Sequence, residues 1–106
     1  MRELLTDCES LIMKEIWICS GDITIPELIG NLNSKHGKGY ARSTVTTFLT
    51  KLQAKGYVRT YRKGKLSFAK ATVGEAEYRL RLLKALKEFW YNGDVEGIKK
   101  DLDALN

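Results

Sequence analysis

The most informative stretch of the sequence runs from Ala41 to Ala71 and reads ARSTVTTFLTKLQAKGYVRTYRKGKLSFAKA. Within it, apolar residues recur at the i, i+3, i+4, i+7 spacing of an amphipathic helix: Val45, Phe48, Leu49 and Leu52. After Gly56 the spacing changes to two short β-prone runs, Tyr57–Tyr61 and Leu66–Ala69. The stretch therefore predicts a helix over about Arg42–Lys55, followed by a two-stranded hairpin.

The exposed side of this predicted helix and the tip of the hairpin share one chemical character. The helix carries small, polar or basic residues opposite its apolar stripe: Arg42, Ser43, Thr46, Thr47, Thr50 and Lys51. The hairpin turns through Arg62–Lys65, which is basic and contains the glycine that a tight turn favours. Both surfaces have the composition of a face that contacts nucleic acid.

The net charge of +5 is concentrated in this same region. Residues 41–70 hold eight bases and no acid, whereas the rest of the chain holds ten bases and thirteen acids, a charge of −3. A surface that binds a polyanion requires such segregation of charge. The weakest member of the basic group is Lys70, which we interpret as an ordinary surface lysine.

Further helices are predicted on both sides of the decisive stretch. Three Thr-x-x-Glu capping boxes, beginning at Thr6, Thr24 and Thr72, indicate helix starts. The predicted helices cover about Asp7–Cys19, Ile25–Lys35 and Val73–Asn92, and Asp94–Leu105 can form one more. Three helices followed by a hairpin are the order of a winged helix-turn-helix. We therefore expect a mainly α protein with a small β-hairpin, in which residues 1–71 form a winged-helix DNA-binding domain and residues 72–106 form a helical dimerisation arm.

The predicted fold assigns roles to the basic residues. The third helix enters the major groove, where Arg42, Ser43, Thr46 and Thr47 reach base edges. Contacts with phosphate or the minor groove are expected from six further basic residues: Lys51, Lys55, Arg59, Arg62, Lys63 and Lys65. Tyr40, just before the helix, either stacks on a sugar-phosphate or packs beneath the helix.

The fourth predicted helix has more apolar surface than one small domain can cover. Its stripe comprises Tyr78, Leu82, Leu83, Leu86, Phe89 and Trp90. A second copy of the chain is the simplest partner, and twofold pairing would present two recognition helices to a pseudo-palindromic site. The alternative is that this helix folds back on its own domain.

The sequence lacks the residue patterns of metal-binding proteins, enzymes and membrane proteins. Cys8 and Cys19 lie in helical patterns and are expected to be buried, reduced thiols, and His36 is expected at a loop or helix end. We predict no metal or other cofactor and no enzymatic activity, because neither ligand spacing nor a nucleophile, paired-carboxylate or phosphate-loop pattern is present. No apolar run of membrane-spanning length and no signal-peptide pattern occurs, so a cytoplasmic protein without membrane insertion is expected.

Two segments resemble the penicillinase repressor family, which includes the methicillin-resistance and copper-responsive repressors. Leu5–Trp17 is similar to the family's opening helix, and Tyr40–Gly56 is similar to its recognition helix, of the form Trp-x-x-x-Thr-Val-x-Thr-x-Leu-x-Arg-Leu-x-x-Lys-Gly. The matching positions are Thr44, Thr47, Leu49, Leu52, Lys55 and Gly56, and Lys51 stands where the family prefers arginine. Phe89–Gly93 resembles part of its dimerisation arm.

The resemblance implies a homodimeric repressor that contacts DNA through Arg42–Lys51, including Thr44, and through the hairpin. It also implies a membrane sensor-protease as a partner. Tyr40 replaces the family's tryptophan, and Ala41 occupies a position where a better N-cap is common. The tail beyond Gly93 is shorter than in penicillinase repressors and lacks the helix where inactivating proteolysis occurs. It also lacks the cysteine pairs of the copper-responsive members, so the resemblance assigns no inducing signal.

Together, these patterns predict a sequence-specific DNA-binding transcriptional repressor that acts as a homodimer on a pseudo-palindromic operator. The alternative is a winged-helix protein–protein adaptor whose basic face binds an acidic partner. Exposed aromatic residues on the third helix would favour the adaptor.

Overall fold

The computed structural model describes residues 4–106, which form five helices and three strands. In chain order these are α1 (Asp7–Ile18), β1 (Asp22–Thr24), α2 (Ile25–His36), α3 (Arg42–Ala54), β2 (Val58–Lys63), β3 (Leu66–Ala71), α4 (Glu75–Trp90) and α5 (Val95–Ala104). The mainly α fold with a basic hairpin is as the sequence predicts. The helix expected beyond Asp94 is present as α5.

The helix starts follow the predicted caps at two of three places. At α1 the capping box is complete, because the Thr6 hydroxyl accepts from the Glu9 N–H and the Glu9 carboxylate accepts from the Thr6 N–H. At α2 the Thr24 hydroxyl accepts from the N–H of the corresponding glutamate. Helix α4 begins at Glu75, two residues later than predicted. Thr72 is engaged at the base of the hairpin, where its N–H and hydroxyl donate to the carbonyls of residues 57 and 56.

The sheet contains a strand that the sequence did not predict. Its order is β1-β3-β2, with both pairings antiparallel, so β1 adds an edge to the predicted hairpin. Ile23 pairs with Ala69, and both are buried. Strand β1 has three residues, too few to show the alternation by which a strand is recognised in a sequence.

The turn between β2 and β3 has two residues, Gly64 and Lys65, since Lys63 pairs with Leu66. Gly64 has a φ of +62°, the conformation that the mirror-image turns of tight hairpins require at their first position. Gly64 therefore forms the tight turn that the sequence predicts at the hairpin tip. We call β2, β3 and this turn the wing.

The core joins the first three helices to the sheet. Its fully covered apolar residues include Ile12, Met13, Ile16, Leu28, Leu32, Val45, Leu49, Leu52 and Tyr57. Each such side chain contributes about 1.5–3 kcal/mol relative to exposure. Three residues of α3 are buried in this core, so its opposite side is held outward.

The chain divides into two compact units, the first ending at Glu75 and the second comprising Ala76–Asn106. In the second unit, α4 and α5 are joined by a short turn. Gly93 donates its N–H to the Lys87 carbonyl at 2.9 Å, and the Tyr91 hydroxyl donates to Asp101 at 2.8 Å. Within residues 4–106, no helix has the length and apolar content to cross a membrane.

Candidate nucleic-acid interface

The predicted contact residues of α3 lie on its exposed side. Arg42, Ser43, Thr44, Thr46, Thr47 and Lys51 are all exposed, as are Arg59, Arg62, Lys63 and Lys65 of the wing. We call these ten residues the basic face. It has no acidic member, so nothing within it offsets its positive charge.

Two threonines on α3 have defined hydroxyl positions. The Thr47 hydroxyl donates to the Ser43 carbonyl at 2.9 Å, and the Thr50 hydroxyl donates to the Thr46 carbonyl at 3.0 Å. Because each hydroxyl proton is already used, these side chains can offer a base edge only an oxygen lone pair and a methyl group. A methyl group is the complement of the thymine C5-methyl in the major groove.

A groove of about 400 Å³ separates α3 from the wing. From α3 it is lined by Thr46, Leu49, Thr50 and Gln53, and from the sheet by Thr60, Tyr61, Arg62 and Ser67; Ile25 completes its lining. A helix advances by about 100° per residue, so Ser43 and Thr47 lie on the crest of α3, while Thr46 and Thr50 lie toward the wing. The exposed side of α3 and the wing therefore form one concave surface.

Gln53 connects the two sides of this groove. Its side-chain oxygen accepts from the Thr60 N–H at 3.3 Å and from the Thr60 hydroxyl at 3.1 Å. No pattern in the sequence marks Gln53 as a site residue. It is the one polar residue in the last turn of α3 besides Lys51, which is a weak signal.

Tyr61 stiffens the wing. Its ring stacks on Phe68 of the neighbouring strand with centroids 5.1 Å apart, and its hydroxyl donates to both carboxylate oxygens of Asp22, the nearer at 2.8 Å. The hydrogen bond to Asp22, followed by partial desolvation, raises the pKa of Tyr61, so the hydroxyl stays a donor. The Arg59 guanidinium lies 5.9 Å from the ring centroid. These contacts connect all three strands beneath the basic tip.

Lys55 does not join the basic face. Its ammonium lies 2.6 Å from the carboxylate of Glu9, and the two side chains are 19% and 3% exposed. Burial raises the pKa of Glu9, but hydrogen bonds from Lys55 and from the Thr6 N–H, with the charge of Lys55, outweigh burial and lower it overall. The ammonium that the sequence analysis assigned to a phosphate is thus engaged with a buried carboxylate in the free protein.

A second buried acid is paired with basic side chains in a similar way. The carboxylate of Glu15, whose side chain is 2% exposed, lies 3.3 Å from Lys35 Nζ and 3.0 Å from His36 Nε2. His36 thus stands at a helix end, as expected, and contacts a carboxylate there. Because Glu9 and Glu15 both lie inside, neither adds negative charge to the surface.

The arm presents an uncovered apolar stripe. Leu82, Leu83, Leu86, Phe89 and Trp90 are exposed and lie within an arc of about 120° on α4. Phe89 and Trp90 meet edge to face with centroids 4.9 Å apart. Tyr78, which the sequence analysis placed in the same stripe, is 5% exposed in the single chain, so it offers a partner less surface than the other five.

The remaining predictions concern sulfur and metal. Cys8 and Cys19 are free thiols and are half-buried rather than buried. Tyr40 packs beneath α3, with its ring 6.0 Å from that of Phe48 and its hydroxyl 3.7 Å from Cys8 Sγ. In the part of the chain that the structure describes, no three His, Cys, Asp or Glu residues form a group able to hold a metal ion.

Three helices, a three-stranded sheet with a basic wing, and an outward-facing third helix define a winged helix-turn-helix protein. The chain belongs to the penicillinase repressor family, whose model matches residues 5–100. This family is a class of repressors and not of enzymes. No curated protein sequence matches the chain.

Solved structures give the same fold. The solution structure of the DNA-binding domain of the repressor BlaI is 25% identical, with a TM-score of 0.59, covering 74% of this chain and 94% of its own. A structure of the DNA recognition and protein interaction domains of HOP2 is 21% identical, with a TM-score of 0.51, covering 59% of this chain and 95% of its own. The second likeness concerns the fold alone.

Proposed function

We propose that this protein is a sequence-specific DNA-binding transcriptional repressor that occupies its operator as a homodimer. The observation that carries the proposal is the single concave surface formed by the outward side of α3 and the wing. Every charge on its basic face is positive, and it belongs to a fold whose third helix fits the major groove. Membership of the penicillinase repressor family and the likeness to the BlaI DNA-binding domain support it.

The residues divide into readers of bases and holders of phosphate. The crest of α3, with Ser43, Thr47 and the flanking Arg42, enters the major groove, where arginine grips guanine and threonine methyls meet thymine. Lys51 on one flank and the wing residues Arg62, Lys63 and Lys65 contact the phosphates on either side. Repression follows from occupancy, because a filled operator excludes polymerase without any chemical step.

Dimerisation is proposed through the apolar stripe of α4. Five large exposed side chains on one helix face exceed what a monomer usually leaves in water. A twofold pair of such helices covers both stripes and provides two basic faces for an inverted repeat. Sedimentation of the free protein tests this step. A dimer that becomes a monomer on Leu83→Asp supports it, and a wild-type monomer at micromolar concentration contradicts it.

We also propose a cytoplasmic location, where the operator is accessible, and, by likeness to the family, a membrane sensor-protease as a partner. Affinity purification of the chain from membrane extracts tests the partner. Recovery of a membrane-embedded protease supports this part of the proposal, and its absence from the purified material contradicts it.

Selection from random duplexes tests the proposed function itself. The tightest duplex and a scrambled duplex of the same composition are titrated with protein at several salt concentrations. We expect the selected duplex to bind about 10³-fold or more tightly than the scrambled one. Affinity should also fall with salt, with a log–log slope of about 0.9 per neutralised phosphate. Equal binding to both duplexes, or a flat salt response, contradicts a sequence-specific repressor and favours the protein–protein adaptor.

A further inference from the structure

The segment that leads into α3 is weakly fixed by its own sequence. Between α2 and α3 the chain passes through Gly37 and Gly39, both at positive φ, and glycines there leave the free chain many alternative conformations. Ala41, at the N-cap of α3, makes no side-chain cap hydrogen bond. Neither the turn nor the cap therefore determines the direction in which α3 begins.

A side-chain amide on α2 supplies this missing constraint. Asn33 Oδ1 accepts from the Tyr40 N–H at 2.7 Å, and Asn33 Nδ2 donates to the Tyr40 carbonyl at 3.1 Å. The amide of Asn33 thus pairs with both backbone groups of one residue, as a neighbouring strand would. Two bonds at one residue fix its orientation as well as its position.

The Tyr40 side chain extends this anchor to the other helices. Its ring packs at 6.0 Å from the ring of Phe48 on α3, and its hydroxyl donates to Cys8 Sγ on α1 at 3.7 Å. Tyr40 is therefore attached to all three helices of the DNA-binding unit. After Ala41, the next two residues, Arg42 and Ser43, form the first turn of α3 and begin its proposed DNA-facing side.

We propose that Asn33 is a positioning residue that determines how strictly the protein discriminates among DNA sequences. The inference rests on the proposed function and adds a determinant that does not touch DNA. Base readout needs hydrogen bonds of about 2.7–3.2 Å at fixed angles, so a small shift of the first turn of α3 removes it. Contacts from long lysine side chains to phosphate tolerate the same shift, because those side chains can follow.

The test compares two dissociation constants for each variant. The probes are the tightest duplex that the wild-type protein selects from a random pool and a scrambled duplex of the same composition. For Asn33→Ala we expect the ratio of the two constants to fall by about tenfold or more, with binding to the scrambled duplex unchanged. A merely structural role lowers the folded fraction, which weakens both bindings by one factor and leaves the ratio unchanged. Ser34→Ala, an exposed neighbour on α2, is the matched control.

A second variant keeps the test decisive if Asn33→Ala does not fold. Asn33→Asp retains the size of the side chain and the acceptor for the Tyr40 N–H but places an oxygen against the Tyr40 carbonyl. We expect its ratio to fall as well. If the wild type discriminates and the folded variants keep its ratio, the positioning role is wrong and the proposed function stands. If the wild type itself does not discriminate, the proposed function fails first.

Discussion

Gln53 on α3 accepts two hydrogen bonds from Thr60 on β2, at 3.3 Å from its N–H and 3.1 Å from its hydroxyl. The bonds join an element proposed to read bases to an element proposed to hold phosphate. Because one carboxamide oxygen accepts both bonds, we expect a change in the angle of the wing to shift the last turn of α3. The basic face should then act as one coupled surface and not as two independent patches.

Replacing Gln53 tests this coupling. Gln53→Ala removes both bonds at an exposed site, so we expect a loss of only about 0.5–1.5 kcal/mol in the free energy of unfolding. We also expect affinity for the selected duplex to fall about tenfold, a loss of about 1.4 kcal/mol, because the wing no longer holds its angle. Urea unfolding and DNA titration measure the two effects. Unchanged affinity with reduced stability would show that the wing and α3 bind independently.

The turn of the wing is expected to hold phosphate without reading sequence. Replacing Lys63 and Lys65 together with alanine should weaken binding to selected and scrambled duplexes alike. The magnitude of the log–log salt slope should fall by about 1.8, since each lost phosphate contact accounts for about 0.9. The matched control is Lys99→Ala with Lys100→Ala on α5, which changes the net charge equally away from the basic face. If the control lowers affinity as much, net charge alone governs binding.

Thr47 is expected to read thymine through its methyl group, because its hydroxyl proton is donated to Ser43. Thr47→Val keeps the methyl group and should retain the sequence preference of the wild type. Thr47→Ser keeps the hydroxyl and should lose about 0.8 kcal/mol of discrimination at one base pair, the contribution of one buried methyl-sized group. Selection experiments on the three proteins measure this preference. The reverse pattern, with serine retaining the preference, assigns the contact to the hydroxyl oxygen.

The ion pair of Glu9 with Lys55 predicts that the free energy of unfolding decreases in acid. The pKa of Glu9 is lowered below its ordinary 4.5 in the folded state, so its contribution is complete above that value and is lost as the pH falls through the folded pKa. Glu9→Gln should therefore flatten the dependence of unfolding free energy on pH below 4.5. Urea unfolding across the acid range measures it, and an unchanged decrease in acid would contradict the assignment.

Lys55→Met provides the complementary test. It leaves the buried carboxylate unpaired and should cost about 3–5 kcal/mol in the free energy of unfolding. The affinity of the folded fraction for DNA should change little, because Lys55 serves Glu9. A large loss of affinity with little loss of stability would instead indicate that Lys55 contacts phosphate when DNA is bound.

The sequence predicts those elements whose signal is local and periodic. The stripe of α3 repeats often enough to indicate the helix and its outward side, and the glycine at the hairpin tip indicates the turn. Strand β1 is not predicted because its three residues pair with β3, which lies far along the chain. The two cysteines, expected to be buried, are half-buried because a helical stripe does not show where its edges meet water.

The charge pattern shows where bases accumulate but not which of them are already paired. Lys55 and its partner Glu9 are 46 residues apart, so no local pattern connects them. One signal was present: Glu9 and Glu15 each lie three positions from Ile12, on the apolar side of α1. A carboxylate on the apolar side of a helix is buried on folding, so it needs a basic side chain as its partner. Asn33 gave no comparable signal, because its partner depends on the geometry of a turn.

We propose that DNA binds to the face shared by α3 and the wing, and amide chemical shifts followed by NMR during titration with the selected duplex report on that contact residue by residue. We expect the largest changes at Arg42, Ser43 and Thr47 and at residues 62–65, with small changes in α5. Shifts concentrated in α5 or on the exposed side of α1, with α3 and the wing unaffected, would contradict the account.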